Sequence, residues 1–172
     1  MNKVFDALLK CTKTENYLAF SAKESCLLLD KIYRNPERWT AILHPLGFMV
    51  VDLAQLGKKS IYLHIWIKNI TEPYLATSKV HRHPGRLASF LLCGSMVNYS
   101  VEINCNPSTY THRIYKILHR GNTDCLMPTE QLVSYRVTSK THLESEHSYS
   151  VVPHSFHYTE LGESDVTAPI LI

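Results

Sequence analysis

From Gly47 onward the chain is cut into short runs rich in β-branched and aromatic residues, and this succession limits its fold more than any other feature. The runs cover 48–53, 61–67, 87–93, 96–103, 113–118, 131–138, 147–152 and 156–161, with a short closing run over 168–172. Turn markers separate them at Leu56-Gly57-Lys58-Lys59, Cys93-Gly94-Ser95, Asn106-Pro107-Ser108 and Gly121-Asn122-Thr123-Asp124. Eight or nine short strands so spaced predict a mainly β fold, either a sandwich or a small barrel.

The preceding third reads as helical. Val4, Phe5, Leu8 and Leu9 lie at helical spacing. Ser21-Ala22-Lys23-Glu24 fits a capping box ahead of Leu27, Leu28, Leu29, Ile32 and Tyr33. Asn35-Pro36 then reads as an N-cap with proline at the first helical position, opening a short helix through Trp39. No repeat or linker interrupts the 172 residues, so one domain is expected: a helical segment over 1–45 and a β-barrel over 46–172.

Hydrophobic residues make up 45% and charged residues 19%, the balance of a globular chain rather than a disordered one. The formal charge of +3 is mild, and Lys58-Lys59 is the only adjacent basic pair, so no nucleic-acid footprint is present. Cysteines 11, 26, 93, 105 and 125 form an odd set without CxxC spacing. With no signal-peptide core at the N-terminus, they suggest reduced thiols and a cytoplasmic protein. No apolar run approaches the roughly 20 residues that span a bilayer, so no membrane partner is expected. GxSxG and glycine-rich phosphate loops are absent, which argues against nucleophilic hydrolysis and nucleotide binding.

Chemistry is concentrated in the histidines. In His81-Arg82-His83, two imidazoles at i and i+2 share one face of an extended segment, about 7 Å apart. Neutral imidazole suits zinc, copper, iron and nickel. A third candidate comes from Pro153-His154-Ser155-Phe156-His157. His157 continues a strand through Tyr158, whereas His154 follows a proline at a bend, so His157 is the stronger choice, with His154 and His64 as alternatives. His112, His119, His142 and His147 sit among polar residues and read as solvated, and His44 reads as a turn residue before Pro45.

These segments resemble the cupin superfamily. Leu63-His64-Ile65-Trp66, His81-Arg82-His83-Pro84-Gly85-Arg86 and Ser89-Phe90-Leu91-Leu92-Cys93-Gly94 together look like the first cupin motif. Tyr149 to His157 looks like the second. The resemblance implies a jelly-roll (double-stranded β-helix) barrel with metal held by His81, His83 and His157. Many cupins add a glutamate three or four residues after the HxH, but here those positions are Leu87 and Ala88, and no acidic residue lies between His83 and Glu102. That leaves a three-His face, similar to the cysteine dioxygenase branch.

A face of three neutral imidazoles leaves open coordination positions and the full charge of the ion. The reading that follows is a non-haem Fe(II) dioxygenase acting on a small molecule, with Mn, Ni or Zn as other metals the face could take. Arg86 is the candidate to pair with a substrate carboxylate. Tyr99 and Tyr149 are candidates to place a hydroxyl near bound oxygen. The competing reading is a non-catalytic cupin module that binds or senses a small molecule. A homodimer is the expected assembly, and the apolar tail Pro169-Ile170-Leu171-Ile172 offers an edge for strand pairing.

Overall fold

The computed structural model describes residues 22–44, 46–56, 59–70, 78–120 and 123–172. The helix expected around residues 4–9, the cap at Ser21, and the turn residues 57–58 and 121–122 lie outside them.

Helix α1 (Ala22–Arg34) carries Glu24 in its first turn and Lys31 and Arg34 in its last, each opposing the helix dipole. Asp30 and Arg34 pair at 2.8 Å across one turn, in the favourable order with the acid first. Leu28 is fully buried, and Leu29 and Ile32 pack beside it, giving the helix one apolar face. The Asn35-Pro36 signal yields a single 3-10 turn, Pro36–Arg38, closed by the Trp39 amide on the Pro36 carbonyl.

Ten strands follow: β1 (Ala41–His44), β2 (Phe48–Leu56), β3 (Lys59–Ile67), β4 (Leu87–Cys93), β5 (Ser95–Asn104), β6 (His112–Arg120), β7 (Thr123–Glu144), β8 (Ser148–Val151), β9 (His157–Leu161) and β10 (Val166–Leu171). They form two antiparallel sheets, one in the order β1-β2-β3-β10-β4-β8 and one in the order β6-β7-β5-β9. The chain crosses from the first sheet to the second at Gly94, which has φ +86°. A side chain there would sit 2.5 Å from the Val166 carbonyl oxygen, so both the backbone angle and the space demand glycine. The result is a mainly β, two-sheet barrel with helix α1 before it.

Alternation along the strands sorts the six-stranded sheet into two faces. Val51, Leu53, Ile61, Leu63, Phe90, Leu92, Ala168 and Ile170 point to α1 and form the main apolar core with Leu28. Leu91, on the opposite face of β4, joins Met96 and Leu143 of the second sheet in a smaller cluster lined by Tyr149. The barrel interior therefore lies between the sheets, separate from the core beneath the helix.

Two expectations change here. Residues 169–172 are not a free edge, because β10 lies between β3 and β4 and pairs with both. Pro169, which has no N–H to donate, is tolerated because the β4 register shifts between Ala168 and Pro169. Strand β7 runs 22 residues, pairing first with β6 and then with β5; it extends the run expected over 131–138 in both directions and takes in Thr123 and Asp124 of the turn marker.

Candidate metal centre

The segment holding His81 and His83 is extended but is not a ladder strand. Its anchor is one rung, in which the His81 amide donates to the His157 carbonyl and the His157 amide donates to the His81 carbonyl, both at 2.9 Å. Residues that exchange both bonds face each other and project their side chains to the same side. His83, two residues on, shares that side. The His154 amide donates to the His83 carbonyl at 2.8 Å, holding the other end of the segment. Arg82 points the opposite way, its guanidinium 4.9 Å from the centre of the Phe156 ring.

The three rings therefore converge. Centroids lie 5.0 Å apart for His81 and His83, 4.5 Å for His81 and His157, and 5.3 Å for His83 and His157. One ring nitrogen from each lies within 4.8 Å of the others. Three nitrogens bound to one ion at about 2.1 Å stand roughly 3–3.4 Å apart, so small ring rotations suffice to close the set.

Hydrogen bonds select the nitrogen that two of the rings present. His81 Nδ1 lies 2.8 Å from the Lys79 carbonyl oxygen, and His157 Nδ1 lies 3.3 Å from that of Ser155. A carbonyl only accepts, so both Nδ1 atoms carry the proton and both Nε2 lone pairs are left to ligate. Burial, with the neighbouring His81, lowers His157 to a pKa of about 4. Burial, then His81 and His44, lowers His83 to about 4 as well. Burial also lowers His81, with the Lys79 carbonyl opposing. All three imidazoles are neutral at neutral pH, the state a metal requires.

His64 stands beside this group without joining it. Its ring stacks on Phe48 at 4.5 Å and meets Trp66 edge-on at 5.9 Å. Burial, then His44, His83 and His81, pushes it down to about 3. His44 stacks on the other partner of this group, 4.3 Å from Phe48. The sequence reading of His44 as a turn residue thus misses its place in a five-histidine neighbourhood. Only the register of β1 on β2, which sets His44 opposite Phe48, reveals it.

The remaining candidates separate. Tyr149 faces the interior, with its hydroxyl beside Ser89 and Thr159, and burial raises its pKa so that it keeps its proton. Tyr99 does not reach the histidines. It pairs with Tyr158 while its neighbour Ser100 pairs with His157, so it occupies the opposite face of the sheet. There it stacks on Tyr158 at 4.5 Å and donates to Glu160 at 2.8 Å. Arg86 is exposed just ahead of β4. His154 is exposed at φ +63° and turns the chain. Glu102 pairs with Arg136 on the surface, outside the cluster. Cys93 packs against the core under α1, and burial raises its thiol pKa, so it is neither a thiolate nor a neighbour of the rings. Among the described residues, the cluster contains no carboxylate.

No protein-family profile matches the chain, and no curated protein matches it by sequence. Among solved structures, it is similar to the hydroxypropylphosphonic acid epoxidase from S. wedmorenis, at 10% identity and a TM-score of 0.47 over 79% of this chain and 55% of that one. The chain thus spans about half the length of the epoxidase. It is also similar to KdgF from Halomonas sp., at 13% identity and a TM-score of 0.42 over 77% of this chain and 83% of that one. A third likeness, to CapF, has 8% identity and a TM-score of 0.42 over 77% of this chain and 29% of that one.

Proposed function

We propose that the chain is a metal-dependent cupin-type enzyme that oxidises a small organic substrate with O2, using Fe(II) held by His81, His83 and His157. The observation that carries this reading is the convergence of three neutral imidazoles, two with their Nδ1 protons fixed by backbone carbonyls, on one face of the barrel interior. Three protein ligands mark an open site rather than a closed structural one. Fe(II) in such a site would bring substrate and O2 together and accept the redox change.

The protein's own part is positioning. With no carboxylate in the cluster, a divalent ion held there would keep its double positive charge, which would favour an anionic or thiolate group on the substrate. The Lys79 and Ser155 carbonyls fix the tautomer of two rings and keep both Nε2 lone pairs free, so only small ring rotations separate this face from a bound one. Tyr149 keeps a protonated hydroxyl inside the barrel.

A second reading, a module that binds a small molecule without turnover, is favoured by Leu87 and Ala88, which leave the positions of a fourth, acidic ligand apolar. Elemental analysis after purification without an affinity tag tests the metal. Wild type is expected to hold about one equivalent of transition metal. His83→Ala and His157→Ala are expected to lose it. Oxygen uptake during substrate screening separates the two readings, since the binding module would show ligand-induced stabilisation without consuming O2. Wild type that retains no metal after anaerobic Fe(II) loading would overturn the reading.

A further inference from the structure

The barrel interior continues past the histidines, and its next rung is polar. Two residues beyond His157 on β9 comes Thr159, and two before Ser100 on β5 comes Asn98. Asn98 pairs with Thr159 on one side and with Thr141 of β7 on the other. Strand alternation places Asn98 and Thr159 on the histidine side of the sheet. The Tyr149 hydroxyl reaches this rung from the facing sheet, beside Thr159 and Ser89.

Asn98 is 6% exposed, and its Oδ1 has no hydrogen-bond partner although a threonine flanks it on either side. A buried acceptor left open is costly, and such groups normally meet a donor. Charge is absent as well. The inward residues of β4, β8, β9 and of β5 as far as Ser100, among them Leu87, Ser89, Leu91, Met96 and Val151, include no Asp, Glu, Lys or Arg, and Glu102 further along β5 is exposed and paired with Arg136. A second ionic group has no counter-ion on these strands.

We infer that the substrate carries, about 7 Å beyond its metal-facing group, an uncharged O–H or N–H donor received by Asn98 Oδ1. The substrate class is then a short molecule with one ligating anionic or thiolate end and one hydroxyl or amide end. This rests on the metal reading for its first half and on Asn98 for its second.

Three acids of similar length test it on the zinc-loaded protein by calorimetry: 4-hydroxybutyrate, butyrate and succinate. The first ends in a donor, the second in a methyl group, the third in a second carboxylate. Sites built to hydrogen-bond a hydroxyl discriminate strongly against analogues that lack it. 4-Hydroxybutyrate is expected to bind at least about tenfold more tightly than either of the others. Asn98→Ala is expected to erase its advantage over butyrate while zinc stoichiometry stays that of wild type. If that variant does not fold, Thr159→Val, which keeps Asn98, is expected to preserve the wild-type order.

Equal binding of the three acids by zinc-replete wild type would overturn the inference and leave Asn98 to an internal water. Preference for succinate would overturn it too. Failure of wild type to retain zinc is a separate result, read from the same sample, and removes the metal-facing half with the metal reading itself.

Discussion

His154 and His157 stand three residues apart in the chain, yet only one of them can ligate. His154 turns the backbone at positive φ and faces solvent, whereas His157 is 3% exposed and exchanges both backbone bonds with His81. Burial then sets the protonation of the group. His83 and His157 titrate near 4 and His64 near 3, against about 6.5 in the unfolded chain. As pH falls from about 6.5, the unfolded chain takes up protons that the folded chain refuses, so stability is lost with acidification. Between about pH 6.5 and 5, surface carboxylates remain ionised and contribute little to the slope. We expect the urea midpoint of metal-free protein to be level above about pH 7 and to decline steadily to about pH 5. His64→Phe should flatten that decline. A midpoint unchanged across the window would show that these rings titrate as solvated histidines.

At the scale of elements, β10 decides more than its six residues suggest. Among the described residues it is the only bridge between β2-β3 and β4-β8, with partners on both edges. Ala168 and Ile170 enter the core under α1, and Leu171 is buried as well. Deleting residues 168–172 removes two strand pairings and a central part of the core at once. We expect the truncated chain to lose cooperative unfolding by circular dichroism. A folded truncated species with only its assembly state altered would instead mean that the tail acts as an edge between copies.

The central position of β10 could not be read from its sequence, because an apolar run looks the same at an edge as in the middle of a sheet. Strand β1 escaped for the opposite reason: Ala41, Ile42 and Leu43 are exposed, and four residues carry too little alternation to register. The HxH pair was legible because i, i+2 geometry is local. Tyr99 was misplaced because its face depends on a rung with Tyr158 of β9, far away in the chain.

Across the whole molecule, the main core and the histidine cluster lie on opposite sides of the six-stranded sheet. The side toward α1 is apolar and closed, with Leu28, Ile61, Leu63 and Ile170 at 1% exposure or less. The space on the sheet's other side, facing the second sheet, holds a small apolar cluster and the Phe48–Trp66 pair, and also the histidines, Tyr149 and, from the second sheet, Asn98 and Thr159. A barrel that had to fold on its interior could not give so much of it to polar groups, because unpaired polar burial is unfavourable.

This separation predicts opposite outcomes for two substitutions. Leu28→Ala opens a cavity between α1 and the sheet and should cost about 2–5 kcal/mol of unfolding free energy. The folded fraction should still take up one metal ion, because no metal-facing side chain belongs to that core. His83→Ala should abolish metal uptake yet leave the urea midpoint of the metal-free protein within the range of a partly exposed substitution, about 0.5 kcal/mol or less. Stability by urea titration and metal by elemental analysis, taken on wild type and both variants with and without metal, give the comparison. If Leu28→Ala also lost the metal at full folding, the core under the helix would be setting the ligand geometry, and the two faces would be coupled through β3 and β4. If His83→Ala unfolded the metal-free chain, the histidine rung would be a structural joint between the sheets before it was a site.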